Sequence, residues 1–448
     1  MSSRREFVHR LFGGVAVGAL AGSASEILSA PIPDLGTGKP PEDEGYWRWV
    51  ADQFLTGDIA YMNTGTRGPS PRSVVKAQID AIRAYDSDRL SYARYVDNGD
   101  YRMALRNRLA NFVGCGAHEV AFTNNTTEGM VLGTAGIDLE RGDEIIYTNH
   151  DHSSGAQPIN LRAARYGIKP VVVDLSNRKF HPPKSVDALI DAFDAAITSR
   201  TRLISFCHMN YTDGCVLPVA EICELARSKG ILTLVDGAHP PGMIDLNIAA
   251  LGCDMYAGAC HKWMLAGMLT GFFYVREDLQ DRVWPTVYSG PVNGMNMYGE
   301  AQAPGAYLDM TRTAARYEIH GSNSYANIAS VDAALDFHIG LTPAAVEARD
   351  RYMATRVRDG LRNIRGVNVY VSDDPKMACA IVSFDIRNVA PRELNELLWT
   401  RHRIYIRDVA HAEIDWNVNR ASLHIMVNGA QVDQLLGAVE EIAKERRA

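Results

Sequence analysis

Between residues 119 and 275 short apolar runs recur at intervals that only a helix can fill. Glu119-Val120-Ala121-Phe122, Glu144-Ile145-Ile146-Tyr147 and Pro170-Val171-Val172-Val173 read as strands, as do Leu203-Ile204-Ser205-Phe206, Leu232-Thr233-Leu234-Val235 and Gly271 to Val275. Helical stretches such as Val186 to Ile197 and Val219 to Ser228 separate them. Apolar strands alternating with helices predict βαβ units and an α/β fold built on a largely parallel sheet. Beyond residue 325 the pattern changes. Helices are expected over Ala326–Ile339, Pro343–Asn363, Pro391–Thr400 and Gln431–Arg446, with strands at Val367–Val371, Ala378–Phe384, Ile404–Arg407 and Ser422–Val427. The expected organisation is a large domain over 61–324 and a smaller α+β domain over 325–448. Ahead of them, 31–60 reads as a linker and short helix with Trp47 and Trp49.

The first thirty residues have a separate character. Arg4-Arg5 precedes an apolar stretch from Leu11 to Ala21, followed by the small-residue segment Gly22 to Ala30. Paired arginines before a short apolar run resemble a twin-arginine export signal over 1–30, with cleavage after Ala24 or Ala30. The run is too short to span a bilayer. Export in the folded state, through the twin-arginine machinery to the periplasm or beyond, suits a chain that takes up a cofactor first.

Composition narrows the chemistry. The net charge of −7 excludes a global basic field for nucleic acid. The seven cysteines are odd in number and form no CxxC pair, so neither a structural metal centre nor a disulfide framework is expected. Only nine of the 46 basic residues are lysines, which makes a lysine inside a motif conspicuous.

One such lysine is Lys262, in Ala259-Cys260-His261-Lys262-Trp263, the only lysine between Lys229 and Lys376. Twenty-six residues earlier, the strand through Val235 ends in Asp236-Gly237-Ala238-His239. A carboxylate at the carboxyl edge of a parallel sheet points into the ligand crevice. Paired with a lone lysine in a Gly/Ala-rich loop, it suits a pyridoxal phosphate enzyme. The lysine amine would form a Schiff base with the cofactor aldehyde, and the aspartate would keep the pyridine nitrogen protonated. Two further strand ends carry polar motifs. Thr123-Asn124-Asn125-Thr126-Thr127-Glu128-Gly129 opens a helix, as an ordinary N-cap or as a phosphate cradle. His152, in Asn149-His150-Asp151-His152-Ser153-Ser154, is either solvated or positioned to stack on a planar cofactor.

With these motifs the chain resembles the class V aminotransferases of pyridoxal phosphate fold type I, from about Tyr61 to Gly429. The group includes cysteine desulfurases, kynureninases and isopenicillin N epimerase, and His261-Lys262-Trp263 is most similar to the epimerase-like branch. The resemblance implies a mostly parallel seven-stranded sheet between helices. It implies that Lys262 carries the cofactor and shuttles the α-proton, that Asp236 pairs with the pyridine nitrogen, and that His239 lies near the phenolic oxygen. His152 would stack on the ring, while Thr126, Thr127 and His261 would hold the phosphate. His320-Gly321-Ser322-Asn323-Ser324 matches the stretch that relatives insert into a neighbouring subunit's phosphate site, so Ser322 and Asn323 are expected cofactor ligands within a homodimer. Arg420, with Arg407 as a second arginine, would bind the carboxylate of a small amino acid or peptide-like substrate.

Two departures shape the expected activity. The segment after Arg407, Asp408-Val409-Ala410-His411-Ala412-Glu413, lacks the nucleophilic cysteine of desulfurases. Tyr211 stands where desulfurases carry asparagine. An aminotransferase or epimerase is therefore expected, with a β-lyase or a catalytically silent binding protein as alternatives. No GxGxxG follows the first strand, which weighs against a nucleotide-binding oxidoreductase.

Overall fold

The computed structural model describes residues 39–96, 99–175, 185–289 and 313–446. The export segment assigned to 1–30 lies outside them. Seven strands form the large sheet: β1 (Val120–Thr123), β2 (Glu144–Thr148), β3 (Lys169–Val173), β4 (Thr201–Cys207), β5 (Leu232–Gly237), β6 (Met255–Ala259) and β7 (Gly271–Val275). Their order is β1-β7-β6-β5-β4-β2-β3, and only β7 runs against its neighbours. Alternate residues serve opposite faces. Ile145, Leu203 and Leu234 pack into one buried cluster, and their neighbours Ile146, Ile204 and Val235 into another. Both faces are thus covered, which is why these strands read as continuous apolar runs.

Strand β6 was expected to be part of a Gly/Ala-rich loop and is instead a central, fully buried strand. Its small residues are a packing requirement. A Cβ on Gly258 would lie 2.2 Å from the Phe272 ring, and one on Gly237 would lie 1.9 Å from the Tyr256 ring. Tyr256 and Phe272 stack across this space with centroids 6.2 Å apart.

The second sheet is antiparallel and contains β8 (Val367–Val369), β9 (Ile381–Ile386), β10 (Arg407–His411) and β11 (Trp416–Ser422), in the order β10-β11-β9-β8. Two expectations need correction. The strand expected at Ser422–Val427 lies earlier, at β11, because the buried run Leu423–Val427 packs without pairing into a ladder. The expected strand Ile404–Arg407 divides in two. Ile404–Tyr405 pairs in parallel with Ala60–Tyr61, and Arg407 begins β10.

Helices Pro343–Arg362, Pro391–His402 and Gly429–Glu445 share a core with this sheet. The early helix Glu44–Ala51 joins the same core through fully buried Trp47. Its Glu44 pairs with Arg349, itself buried, at 2.7 Å. Helix Tyr325–Leu341 begins at its N-cap Ser324 and packs on helix Arg72–Ser87. No described helix is long and apolar enough to cross a membrane.

Candidate active site

The carboxyl ends of β1, β2, β4 and β5 open on one edge of the large sheet, where the topology reverses at β7. That edge is where an open α/β sheet binds ligands. A cavity of about 250 Å³ lies there, lined by Thr126, His152, Asp236, His239, His261 and Lys262, and by the two arginines of the second sheet.

Asp236 is the penultimate residue of β5, and its Oδ1 accepts from the Ala238 N–H at 3.0 Å. Burial raises its pKa, and the charge of Lys262 opposes that rise. Lys262 follows β6. Burial pulls its amine down to about 8, Asp236 opposes the fall, and Arg420 and Arg407 add to it. The lysine loop is fixed by a close approach of backbone. Gly68 N–H donates to His261 O at 3.1 Å, and a Cβ on Gly68 would lie 1.9 Å from the Lys262 carbonyl oxygen. Only glycine fits at that position.

Helix α1 (Thr126–Ala135) starts directly after β1. Asn125 caps it, accepting from Glu128 N–H at 3.0 Å. Thr126 Oγ1 is buried and has no partner. Thr127 Oγ1 donates to Ser154 Oγ at 2.9 Å, and Ser154 N–H donates to His152 Nδ1 at 3.1 Å. Because that nitrogen accepts, His152 presents a neutral ring, in keeping with burial lowering its pKa to about 4. His261 Nδ1–H donates to Thr270 O at 2.7 Å, which leaves Nε2 free, and burial lowers its pKa. Buried His239 accepts the Trp263 indole N–H at 3.1 Å.

Arg407 and Arg420 stand opposite each other in the β10–β11 register. Arg420 is fully buried. Its Nη1 donates to Tyr211 O at 2.8 Å, its Nη2 to Thr66 Oγ1 at 3.1 Å, and its Nε has no partner. Burial, then Arg407, lowers its pKa to about 9. Arg407 donates to the same Thr66 oxygen at 2.9 Å. Among the described residues neither arginine has a carboxylate partner, so the pair forms a receptor for an anionic group from outside the chain.

Ser322 and Asn323 do not reach this cavity from their own chain. They line a separate depression beside Tyr85 and Arg102. Sequence reasoning singled out Tyr211 and missed Thr66 and Cys207, all three of which line the cavity. Thr66 clamps both arginines. The Tyr211 hydroxyl hydrogen-bonds to His411 Nδ1 at 2.5 Å, and its ring packs edge-on to His152. Cys207 lies at the end of β4, with its thiol pushed well up by burial and the nearby Asp151 and Asp236 charges. The polar character of the segment from His208 to Gly214, directly after a strand, was the available signal.

A family model described as aminotransferase class-V matches residues 69–435. The isopenicillin N epimerase of Amycolatopsis lactamdurans is 30% identical over 407 residues, covering 89% of this chain and 99% of that one. A probable cysteine desulfurase of Methanothermobacter thermautotrophicus is 26% identical, covering 87% of this chain and 96% of its own length. The solved apo cysteine desulfurase of Thermococcus onnurineus superposes with a TM-score of 0.76 at 22% identity, covering 91% of this chain and 99% of that one, which shows a shared fold.

The chain belongs to the class V aminotransferase family, a family of pyridoxal phosphate enzymes of fold type I. The cavity fits that cofactor. A buried hydroxyl without a partner lies at a helix N-terminus, where a phosphate binds. A neutral imidazole face, a buried carboxyl group and a buried lysine of lowered pKa line the same space.

Proposed function

We propose that the chain acts at the α-carbon of an amino acid or peptide-borne amine, as an enzyme of epimerase or aminotransferase type. The observation that carries this reading is the buried Lys262–Asp236 pair facing an arginine with no carboxylate partner. Pyridoxal phosphate, when bound, supplies an electron sink that weakens the Cα–H bond. The chain does the rest. Arg420, supported by Arg407, holds the substrate carboxylate and so orients the amine toward Lys262. Lys262, with a pKa near 8, has free base available at neutral pH to take the α-proton. Asp236 supplies the buried charge that a protonated pyridine nitrogen needs.

Epimerisation also requires a proton to return from the other side. Tyr211 follows β4 and Lys262 follows β6, so the two flank Asp236 of β5 from opposite sides in the strand order. The Tyr211 hydroxyl lines the same cavity and is held by His411, which makes it the candidate for that second acid. This pair and the epimerase relative support the isomerase form. An aminotransferase would share every residue and differ in where the proton returns.

Desulfurase chemistry of the cysteine-nucleophile type does not belong to this reading. Burial raises the pKa of each of the seven thiols, and none lies in the segment after Arg407. A thiol kept protonated does not attack sulfur.

The decisive experiment follows the holoenzyme in D2O with a panel of L- and D-amino acids. Deuterium at Cα with loss of optical purity marks an epimerase. Loss of the visible cofactor band with release of a keto acid marks an aminotransferase. Absence of any visible band after adding pyridoxal phosphate overturns the reading. The Arg4-Arg5 segment supports export, and His320 to Ser324 supports a homodimer with shared sites. Cell fractionation of an Arg4→Lys, Arg5→Lys double variant and sedimentation of the purified protein test these two points. A wild-type protein found only in the cytoplasm, or only as a monomer, would contradict them.

A further inference from the structure

Beside the active-site cavity lies a second space, a groove of about 540 Å³. That size falls within the range of about 300–1,000 Å³ usual for small-molecule sites. Three of its lining residues, Tyr61, Trp399 and Tyr405, are aromatic, beside the polar Asn395, Glu396 and Asp408. Tyr61 and Tyr405 pack with centroids 5.4 Å apart, and Trp399 meets Tyr405 at 6.1 Å. The Arg403 guanidinium sits 4.2 Å from the Trp399 ring centre and fixes the indole from behind. Trp399 and Tyr405 remain 36% and 43% exposed, so two large rings face open space.

The groove is joined to the active site by the chain itself. The parallel pair Ala60–Tyr61 and Ile404–Tyr405 sets Tyr61 directly beside Tyr405. Each segment then runs on into the cavity wall, one to Thr66 and the other to Arg407. Those two residues line both spaces and are hydrogen-bonded to each other at their boundary, which we take as the neck between them. Thr66 is fully engaged there, because its hydroxyl donates to Asn63 Oδ1 at 2.8 Å while accepting from both arginines. Arg407 keeps further N–H donors for a carbonyl passing through the neck.

We propose that this groove is a substrate subsite, and that the substrate class is an α-amino acid whose side chain ends in an aromatic group. The inference rests on the reading of Arg420 as the carboxylate-binding residue. The amino acid head sits in the cavity, a polar link passes Arg407, and the flat tail lies against Trp399 and Tyr405. Free small amino acids fill the first space and leave the second empty.

The test compares two probes, L-alanine and γ-L-glutamyl-p-nitroanilide, which share a free α-amino acid head and differ in the tail. Binding is measured by calorimetry on the apoprotein and on the holoprotein, with kcat/KM as a second readout. The tailed probe is expected to bind at least about tenfold more tightly than L-alanine, as an aromatic contact gives. Trp399→Ala and Tyr405→Ala are each expected to lower that ratio about tenfold or more. Aryl-proton saturation transfer to the protein should fall with it. A tailed probe that binds no better than L-alanine, or a ratio unchanged in both variants, overturns the proposal. Arg420→Ala separates the two levels. If it weakens both probes while Trp399→Ala changes neither, the subsite falls and the functional reading stands. If it weakens neither while Trp399→Ala releases the tailed probe, the subsite stands and the role of Arg420 falls.

Discussion

Lys262 and Trp263 are adjacent in the chain and belong to opposite kinds of interior. Lys262 faces a cavity whose polar groups are left open. Thr126 Oγ1 and Arg420 Nε are buried without partners, and Arg420 has no carboxylate partner among the described residues. Trp263 faces a cluster in which its own two polar groups are both paired. Its indole N–H goes to His239, and its carbonyl accepts from His424 Nε2 at 2.8 Å. His424 Nδ1 in turn lies 2.6 Å from Asp350 Oδ2. Burial raises the Asp350 carboxyl and lowers His424 to about 3, so burial favours the neutral form of each. Buried polar groups are normally satisfied. Open groups on one side of a two-residue span therefore mark the side reserved for a ligand, and closed groups mark the side that holds the lysine loop in place.

Removing Lys262 gives the largest expected effect. Lys262→Ala should reduce turnover and covalent cofactor attachment by at least about 10³-fold. Its thermal midpoint should not fall. The folded pKa of about 8 lies below the ordinary 10.5, so between these values the unfolded chain binds more protons than the folded one. Below about pH 8 the lysine opposes folding in full, and its opposition fades as pH rises toward 10.5. Urea melts at pH 7 and pH 10 should show the alanine variant gaining more stability relative to wild type at the lower pH. A destabilised variant at pH 7 would erase the distinction between the two interiors.

Arg420→Gln comes next. Losing one partner of a buried, hydrogen-bonded charge pair costs about 2–5 kcal/mol, which predicts a fall in kcat/KM of about 30-fold or more. The loss should appear mainly in KM, since the residue binds the part of the substrate that does not react.

His424→Ala should invert this pattern. It strands the Trp263 carbonyl and the Asp350 acid, which predicts a loss of about 1–3 kcal/mol in stability before the cavity is counted. Activity should fall by less than about tenfold, through a looser lysine loop. The pH signature is also distinct. His424 is held near 3 when folded against an ordinary 6.5, so its own contribution to stability declines from about pH 6.5 downward, while the raised Asp350 contributes the opposite trend above the ordinary carboxyl range and is shared by wild type and variant. That part of the acid sensitivity should be missing in His424→Ala.

Much of this contrast was legible in the sequence on one side only. Asp236, His152 and Thr126 stood at strand ends, where apolar runs stop and polar motifs begin, so periodicity located them, while Lys262 stood out as the only lysine of its stretch. Thr66 and His411 come from a loop and an edge strand with no periodic signal, and only the tertiary fold brings them to Tyr211 and Arg420. Strand β6 was hidden because Phe272 fills the space above its Gly258, as Tyr256 does above Gly237 of β5, so the residues that look like a loop are the ones a crowded strand needs. The run Leu423–Val427 misled in the opposite sense. It is apolar because it is buried, yet it pairs with no strand, while β11 before it carries Asn419 and Arg420 inward. Apolarity reports burial, and only alternation reports a ladder. The His424–Asp350 pair gave no signal, because its members lie 74 positions apart.

The smallest expected effect is the sharpest test of the comparison. Thr126 Oγ1 lies at the first turn of α1 with no partner, in a side chain that is 6% exposed. Thr126→Val replaces that hydroxyl with a methyl group of similar size. In the apoprotein it removes an unsatisfied buried group, so stability should hold or rise by up to about 1 kcal/mol. In the holoprotein the same change removes a donor to the cofactor phosphate. A hydrogen bond to a charged group contributes about 1.5–3 kcal/mol, so cofactor affinity should fall by about tenfold or more. Urea melts of the apoprotein and a fluorescence titration with pyridoxal phosphate measure the two numbers independently. Opposite signs would show that the hydroxyl is kept for the ligand and gives the fold nothing. A loss of apoprotein stability would mean that Thr126 is an ordinary helix-start residue, and that the open side of Lys262 is less open than its hydrogen bonds indicate.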